Sequence, residues 1–284
     1  MYKLPPLYNF IPQKMYFKKT KKNKVDTCNI CLNTRQMTWD HIPPSKCQLF
    51  DQIEIVSHFE NMTNQVKREN IVYSNNGLKY RTICGQCNSL LGGSMDKHLI
   101  DLTNSVSHYL YIHHKELPKH IKVTVKPVLL VKALIGHLLA AKKVLDEITM
   151  DTDYRDFVLR NIELPKSINI FYWFYPFKET VVIRDFFMPA TPGQFSDTAY
   201  FNLLKFYPFA FLFSDHDNYQ GLPSLTKLIQ SNSELEEADM IFNLHDIFHP
   251  SWPTIVDNNN LIFASRETQN SIIATSRKVK ISPN

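Results

Sequence analysis

Cys28-Asn29-Ile30-Cys31 opens a stretch that runs through Trp39-Asp40-His41-Ile42-Pro43-Pro44 and closes with Cys84-Gly85-Gln86-Cys87-Asn88. Each Cys-x-x-Cys pair offers two thiolates from one tight turn. Four thiolates at about 2.3 Å from a common centre close a tetrahedral zinc site. Two such pairs flanking the insert 32–83 are a strong zinc signal, whereas thiol–disulfide chemistry needs only one pair. Cys28, Cys31, Cys84 and Cys87 are therefore expected to hold a structural Zn2+. With no open position, that ion serves folding, because a short region with few large apolar residues needs a staple. The fifth cysteine, Cys47, is expected to be an inert thiol, and this use of cysteine indicates a reducing compartment.

A structural zinc site has no need of the Asp40-His41 pair between the knuckles. Phosphodiester hydrolysis does, because an attacking water must lose a proton and His is the side chain suited to take it near neutral pH. A divalent cation on the phosphate then stabilises the developing charge. Mg2+ or Mn2+ favours oxygen ligands such as the Asp40 carboxylate and the Asn88 amide. Neighbours in a strand point to opposite faces, so Asp40 and His41 are expected to serve different atoms. The plainer alternative is a turn-capping Asp beside an ordinary surface or core His.

The constellation resembles the HNH, or ββα-metal, endonuclease family. It is most similar to the zinc-stapled branch that includes the phage endonuclease VII resolvases, where Asp-His and Cys-Asn occupy the corresponding places. The matching residues are Cys28, Cys31, Asp40 through Pro44, Cys84, Cys87 and Asn88. The resemblance implies His41 as general base, Asp40 and Asn88 as ligands of a catalytic Mg2+ or Mn2+, and the four cysteines as structural zinc ligands. For the family's middle Asn, which helps to orient the His, Asn70 is the nearest by type and Arg81 or Thr82 the nearest by distance to the second knuckle. Asp96 and His98 are candidates for a further ligand after the last Cys.

At 284 residues, with 44% hydrophobic and 12% aromatic content, the chain can bury a sizeable core. The expected fold class is α+β. Residues 1–25 are read as a basic and aromatic arm, 26–110 as a zinc-bound ββα-metal (HNH) domain, and 111–284 as a larger α+β domain. The last of these should have a long buried helix and an antiparallel sheet. The net charge is +5. In the arm, Lys18, Lys19, Lys21, Lys22 and Lys24 are candidates for phosphate contacts, with a solvated terminus as the alternative. No apolar signal core opens the chain, and the run Ala133 to Ala141 falls well short of the ~18 residues of a membrane span. A cytoplasmic protein without membrane association is expected.

Further along, Glu54 to Lys67 is read as a helical or looped insertion, and Asn75-Asn76-Gly77 as a turn. Lys79 to Ile83 is read as a strand, Gly92-Gly93 as a break, and Asp96 to His114 as a helix. Pro127 suits the first position of a long helix that is apolar nearly all round. Ile168 to Tyr175, Val181 to Met188 and Phe201 to Ser214 read as strands, Ser233 to Phe242 as a short acidic helix, and Leu261 to Ala264 and Ser271 to Thr275 as final strands. The functional expectation is a metal-dependent endonuclease cutting nucleic acid, DNA in the first place, to leave a 5′-phosphate. Chains of this pattern resemble host-defence (antiviral) or mobile-element nucleases. Residues 111–284 would select substrate or recruit a protein partner, and a resolvase-like mode implies a homodimer. The alternative is a zinc-stapled nucleic-acid-binding or adaptor protein without catalysis.

Overall fold

In the computed structural model, residues 20–62, 64, 66–113, 115–143, 145, 149–160, 163–191, 194–219, 221–254 and 271–277 are described. The motif region begins with β1 (Val25–Thr27), the first cysteine turn and β2 (Thr34–His41). It continues through β3 (Ile53–Ser57), α1 (His58–Met62), β4 (Val72–Ser74) and β5 (Lys79–Cys84). The second knuckle then starts α2 (Gly85–Leu90), which passes through a π-helical turn (Leu91–Met95) into α3 (Asp96–Ile112). The Gly92-Gly93 pair therefore does not break the helical path. It widens one turn, as π-bulges do.

The remainder comprises β6 (His120–Val125), α4 (Pro127–Ala140), α5 (Thr149–Arg160), β7 (Asn169–Phe174), β8 (Thr180–Thr191), β9 (Gln194–Phe206) and β10 (Phe209–Ser214). After these come α6 (Thr226–Gln230), β11 (Ala238–Asn243) and β12 (Ile272–Ser276). The fold is α+β with antiparallel sheets and a long helix, as the sequence indicates. Among the described residues three sheets form, ordered β1-β2-β5, β4-β3-β12-β8-β9-β10-β7 and β11-β6.

Several local expectations are corrected. The run Phe201 to Ser214 is not one strand but the hairpin β9–β10, which turns at Tyr207-Pro208. The acidic stretch before Phe242 ends in β11, paired with β6, because Met240 and Phe242 turn inward while Asp239 and Ile241 alternate outward. The start of the insert, Ile53 to Ser57, is a strand with Ile53 and Ile55 turned inward. Leu261 to Ala264 lies outside the described residues.

β3 and β4 belong to the same seven-stranded sheet as β7–β10 and β12. One continuous core also holds Ile53, Leu91 and Val106 together with Leu134, Phe209 and Ile272. The stretches 26–110 and 111–284 therefore do not have separate cores. The aromatic strands explain their unbroken hydrophobic pattern by being covered on both faces. Tyr172 and Phe174 point into the core around α4, while Phe171, Trp173 and Tyr175 point into a second cluster with Tyr219 and Trp252.

Helix α4 is the hub. Leu130, Val131, Leu134, Ile135, Leu138 and Leu139 are all at most 1% exposed, and the helix touches α3, α5, β5 and β9. A buried helix end leaves carbonyls that need donors, and here they come from remote elements. Arg184 donates to the Leu138 carbonyl, Asn29 Nδ2 to Leu139 O at 2.8 Å and also to Lys142 O, and Thr82 Oγ1 to Ala140 O at 2.5 Å. Asn29 lies inside the first Cys-x-x-Cys turn, so the knuckle is docked directly on the end of α4. Arg184 and Asp185 both turn inward at a β8 bulge, with Asp185 at φ +58°. There they form a buried ionic cluster with Lys142 and Asp151: Lys142 Nζ lies 2.8 Å from Asp151 and 2.7 Å from Asp185.

Candidate active site and zinc cluster

Two turns bring the cysteines together, one after β1 and one where β5 enters α2. The sulfur atoms of Cys28, Cys31, Cys84 and Cys87 all lie within 4.8 Å of one another, and none is in a disulfide. Cys31 Sγ and Cys84 Sγ are 3.8 Å apart, which is the edge of a tetrahedron whose vertices sit about 2.3 Å from its centre. The Cys84 amide donates to Cys28 Sγ at 3.3 Å. A hydrogen bond from Cys87 together with backbone amides brings the Cys28 thiol down to about 4 against its burial. Burial pushes Cys31 up, and the proton shared with Cys28 pushes Cys87 up. One sulfur is thus easily an anion while Cys31 and Cys87 resist, a conflict that a divalent cation among them removes. The residues fit zinc. Cys47, by contrast, is buried away from the cluster and pushed up to about 12 by burial.

At the other end of β2 the alternation expected of Asp40 and His41 holds. Asp40 is 6% exposed and faces the core, while His41 is half-buried on the opposite side. His41 Nε2 lies 3.2 Å from the main-chain carbonyl of Asn76. A carbonyl only accepts, so Nε2 is the donor, and in the neutral ring the lone pair sits on Nδ1.

Asn76 sits in the Asn75-Asn76-Gly77 turn, which is pinned on both sides. Gly77 adopts φ +61°, and an added Cβ there would run into Gln48 Oε1. Gln48 also accepts from Leu78 N at 2.8 Å and donates to the carbonyls of Pro43 and Leu78 at 2.9 and 2.8 Å. The group that holds the His41 ring is therefore the Asn76 carbonyl. Asn70 instead donates to Glu60 at 2.6 Å, and the Thr82 hydroxyl caps α4. Sequence reasoning looked for a side chain and so passed over a turn whose carbonyl does the work.

Asn88, in the first turn of α2, reaches back to β2. Its Nδ2 donates to Thr38 Oγ1 at 3.1 Å and to Trp39 O at 3.0 Å. The amide nitrogen is thereby committed beside Asp40, and the amide oxygen is the end left to accept. Asp40 itself meets a residue that sequence reasoning missed. His137, fully buried in α4, places Nδ1 3.3 Å from Asp40 Oδ2 and Nε2 3.0 Å from Asp96 Oδ1. Burial opposes the imidazolium, but the two carboxylates outweigh it and raise His137 to about 10. Asp96, expected as a possible further ligand, is thus turned to His137. The available signal was a His in a helix whose only other charged or polar side chain is Lys132, since a buried polar group requires a partner.

Of the basic arm, Lys18 and Lys19 lie outside the described residues. Lys21 and Lys24 are exposed. Lys22 is buried, and its ammonium donates to Thr27 O at 2.7 Å, so it braces the arm instead of facing a ligand. Lys21, Lys22, Asn23, Asp26 and Arg81 line an open groove of about 550 Å³. No described helix is long and apolar enough to cross a membrane.

Comparison with protein-family models, with curated proteins and with solved structures finds no match.

Proposed function

We propose that the protein is a metal-dependent HNH-type endonuclease that hydrolyses phosphodiester bonds in nucleic acid, with DNA as the first substrate class. The observation that carries this reading is the His41 imidazole, held by the Asn76 carbonyl with Nδ1 free at the end of β2. On the adjoining residue stands a carboxylate, and Asn88 from the following helix is hydrogen-bonded to the same strand. A zinc-stapled antiparallel pair followed by a helix supports the resemblance to ββα-metal nucleases.

In this mechanism His41 Nδ1 takes a proton from the attacking water, and its Nε2–H···O bond keeps the ring aimed while it becomes an imidazolium. The donor set fits a hard cation: Asp40 offers a carboxylate, and Asn88 an amide oxygen whose NH2 is already committed to Thr38 and Trp39. Mg2+ or Mn2+ bound there would supply charge stabilisation at the phosphate and the leaving oxygen. His137 holds the Asp40 carboxylate from its buried side. The basic groove beside Lys21 attracts the phosphate backbone without reading sequence.

The test is nicking of supercoiled plasmid by wild type and Asp40→Asn with Mg2+, with Mn2+ and with neither. Cleavage that needs added metal and is lost in the variant, with zinc retained, supports the reading. Cleavage by Asp40→Asn at the wild-type rate contradicts it.

A further inference from the structure

The β2–β5 ladder has a solvent-side strip that the proposed chemistry uses at only one position. His41 and Lys79 are register partners, and directly opposed residues share a face. Trp39 lies two residues before His41 and therefore on the same face, opposite the step at Arg81 where the ladder shifts register. The other face carries Asp40, Tyr80 and Thr82, all buried. One strip thus reads His41, Lys79, Trp39, Arg81.

Trp39 is the anomaly in that strip. It is 43% exposed, whereas Trp173 and Trp252 are 5% and 9% exposed. An indole left at the surface forgoes the gain from burying one of the largest apolar side chains. It is not loose: Lys79 Nζ lies 5.3 Å and Arg81 Cζ 5.5 Å from its ring centroid. Its main-chain carbonyl is held by Asn88. Arg81 is anchored by its donation to Lys22 O at 2.8 Å, while its Nε is buried without a partner. From Arg81 the open basic groove with Lys21 continues the positive surface.

A fixed aromatic platform with flanking cations suits a polyanion that also carries π faces, and that combination is a nucleic-acid strand. In a duplex each base face is covered by its neighbours, so an indole reaches a face only where a base is unpaired, terminal or flipped out. Two residues along a strand span about 6.6–6.8 Å. A base on Trp39 and a phosphate beside His41 then belong to adjacent nucleotides. We infer that Trp39, framed by Lys79 and Arg81, is a stacking subsite that selects nucleic acid with an unpaired base next to the phosphate presented to His41. The inference rests on the nuclease reading for the role of His41, but the binding it describes does not require cleavage.

The experiment separates the two. Without Mg2+ or Mn2+, wild type, Trp39→Ala and Trp39→Phe are titrated with a fluorescent single-stranded oligonucleotide and with a fully paired hairpin of the same sequence. Zinc content and circular dichroism check folding. Trp39→Ala should lower the preference for the single strand by about 5- to 150-fold, the range base stacking supplies. Trp39→Phe, which keeps a π face, should restore most of it, and indole emission should change on binding only where Trp39 is present. A preference within twofold of wild type in Trp39→Ala overturns the inference, as does an equal loss on both ligands. The same proteins are then assayed with Mg2+. Trp39-dependent binding with no cleavage of any substrate counts against the nuclease reading and supports the subsite. Cleavage whose single-strand preference ignores Trp39 overturns the subsite and leaves the nuclease reading standing.

Discussion

Replacing His137 with Leu should expose how tightly the site is tied to the core. His137 is fully buried between Asp40 and Asp96, whose side chains are 7% and 13% exposed. Leu has comparable bulk and keeps α4 apolar, so the main loss is the cation between two carboxylates. Removing one partner of a buried pair costs about 3–5 kcal/mol, because the other charge is left uncompensated. The titration of His137 gives a second route to the same magnitude. Its pKa is raised from 6.5 to about 10 in the folded protein, so the stabilisation is fully present below the unfolded value and is lost as pH rises through the folded one. The linkage amounts to about 5 kcal/mol at low pH, about 3 kcal/mol at pH 7.5 and about 1 kcal/mol at pH 9.5. Urea unfolding of wild type and His137→Leu at pH 7.5 and 9.5, without added Mg2+ or Mn2+ and with equal zinc content, measures the difference directly. The variant should be about 3 kcal/mol less stable at pH 7.5, with most of the gap closed at pH 9.5. A gap below 1 kcal/mol at pH 7.5, or one that does not narrow with pH, would refute the reasoning.

Other outcomes follow from the same geometry. Cys84→Ser should abolish stoichiometric zinc and the folded β1-β2-β5 sheet, because structural zinc in isolated fingers contributes about 10–16 kcal/mol, more than a typical domain's whole stability. Metal analysis and proteolytic mapping read both effects. Asn29→Ala should keep zinc but cost about 2–4 kcal/mol in urea unfolding, because the buried carbonyls of Leu139 and Lys142 lose a donor. Part of that cost is offset by removing the unpartnered Asn29 Oδ1.

Much of this arrangement was legible in the sequence. Spacing alone put four cysteines in one cluster, because two residues between thiols leave little choice of geometry. Pro127 and a largely apolar run marked a helix that proved to be the hub. What was not legible depends on long-range partners. Nothing near His137 in the chain announces Asp40, and nothing near His41 announces that a turn carbonyl at Asn76 would orient it. The Phe201 to Ser214 run hid a hairpin because both of its faces are buried, which removes the alternation that betrays a turn. The insert contributes β3 and β4 to a sheet finished by β12, so a boundary drawn from composition near residue 110 cut through one core.

The measurement closest to the central claim is single-turnover cleavage of 5′-labelled DNA by wild type and His41→Ala, with Mg2+ or Mn2+ and with zinc occupancy checked in both. His41 lies at the surface end of β2, so its loss should leave fold and zinc intact. The account expects wild type to cut and leave a 5′-phosphate, and His41→Ala to be slowed by about 10²–10⁴-fold, the worth of a positioned general base. Equal rates for the two proteins, or a folded, zinc-loaded wild type that cuts nothing in either metal, would contradict it.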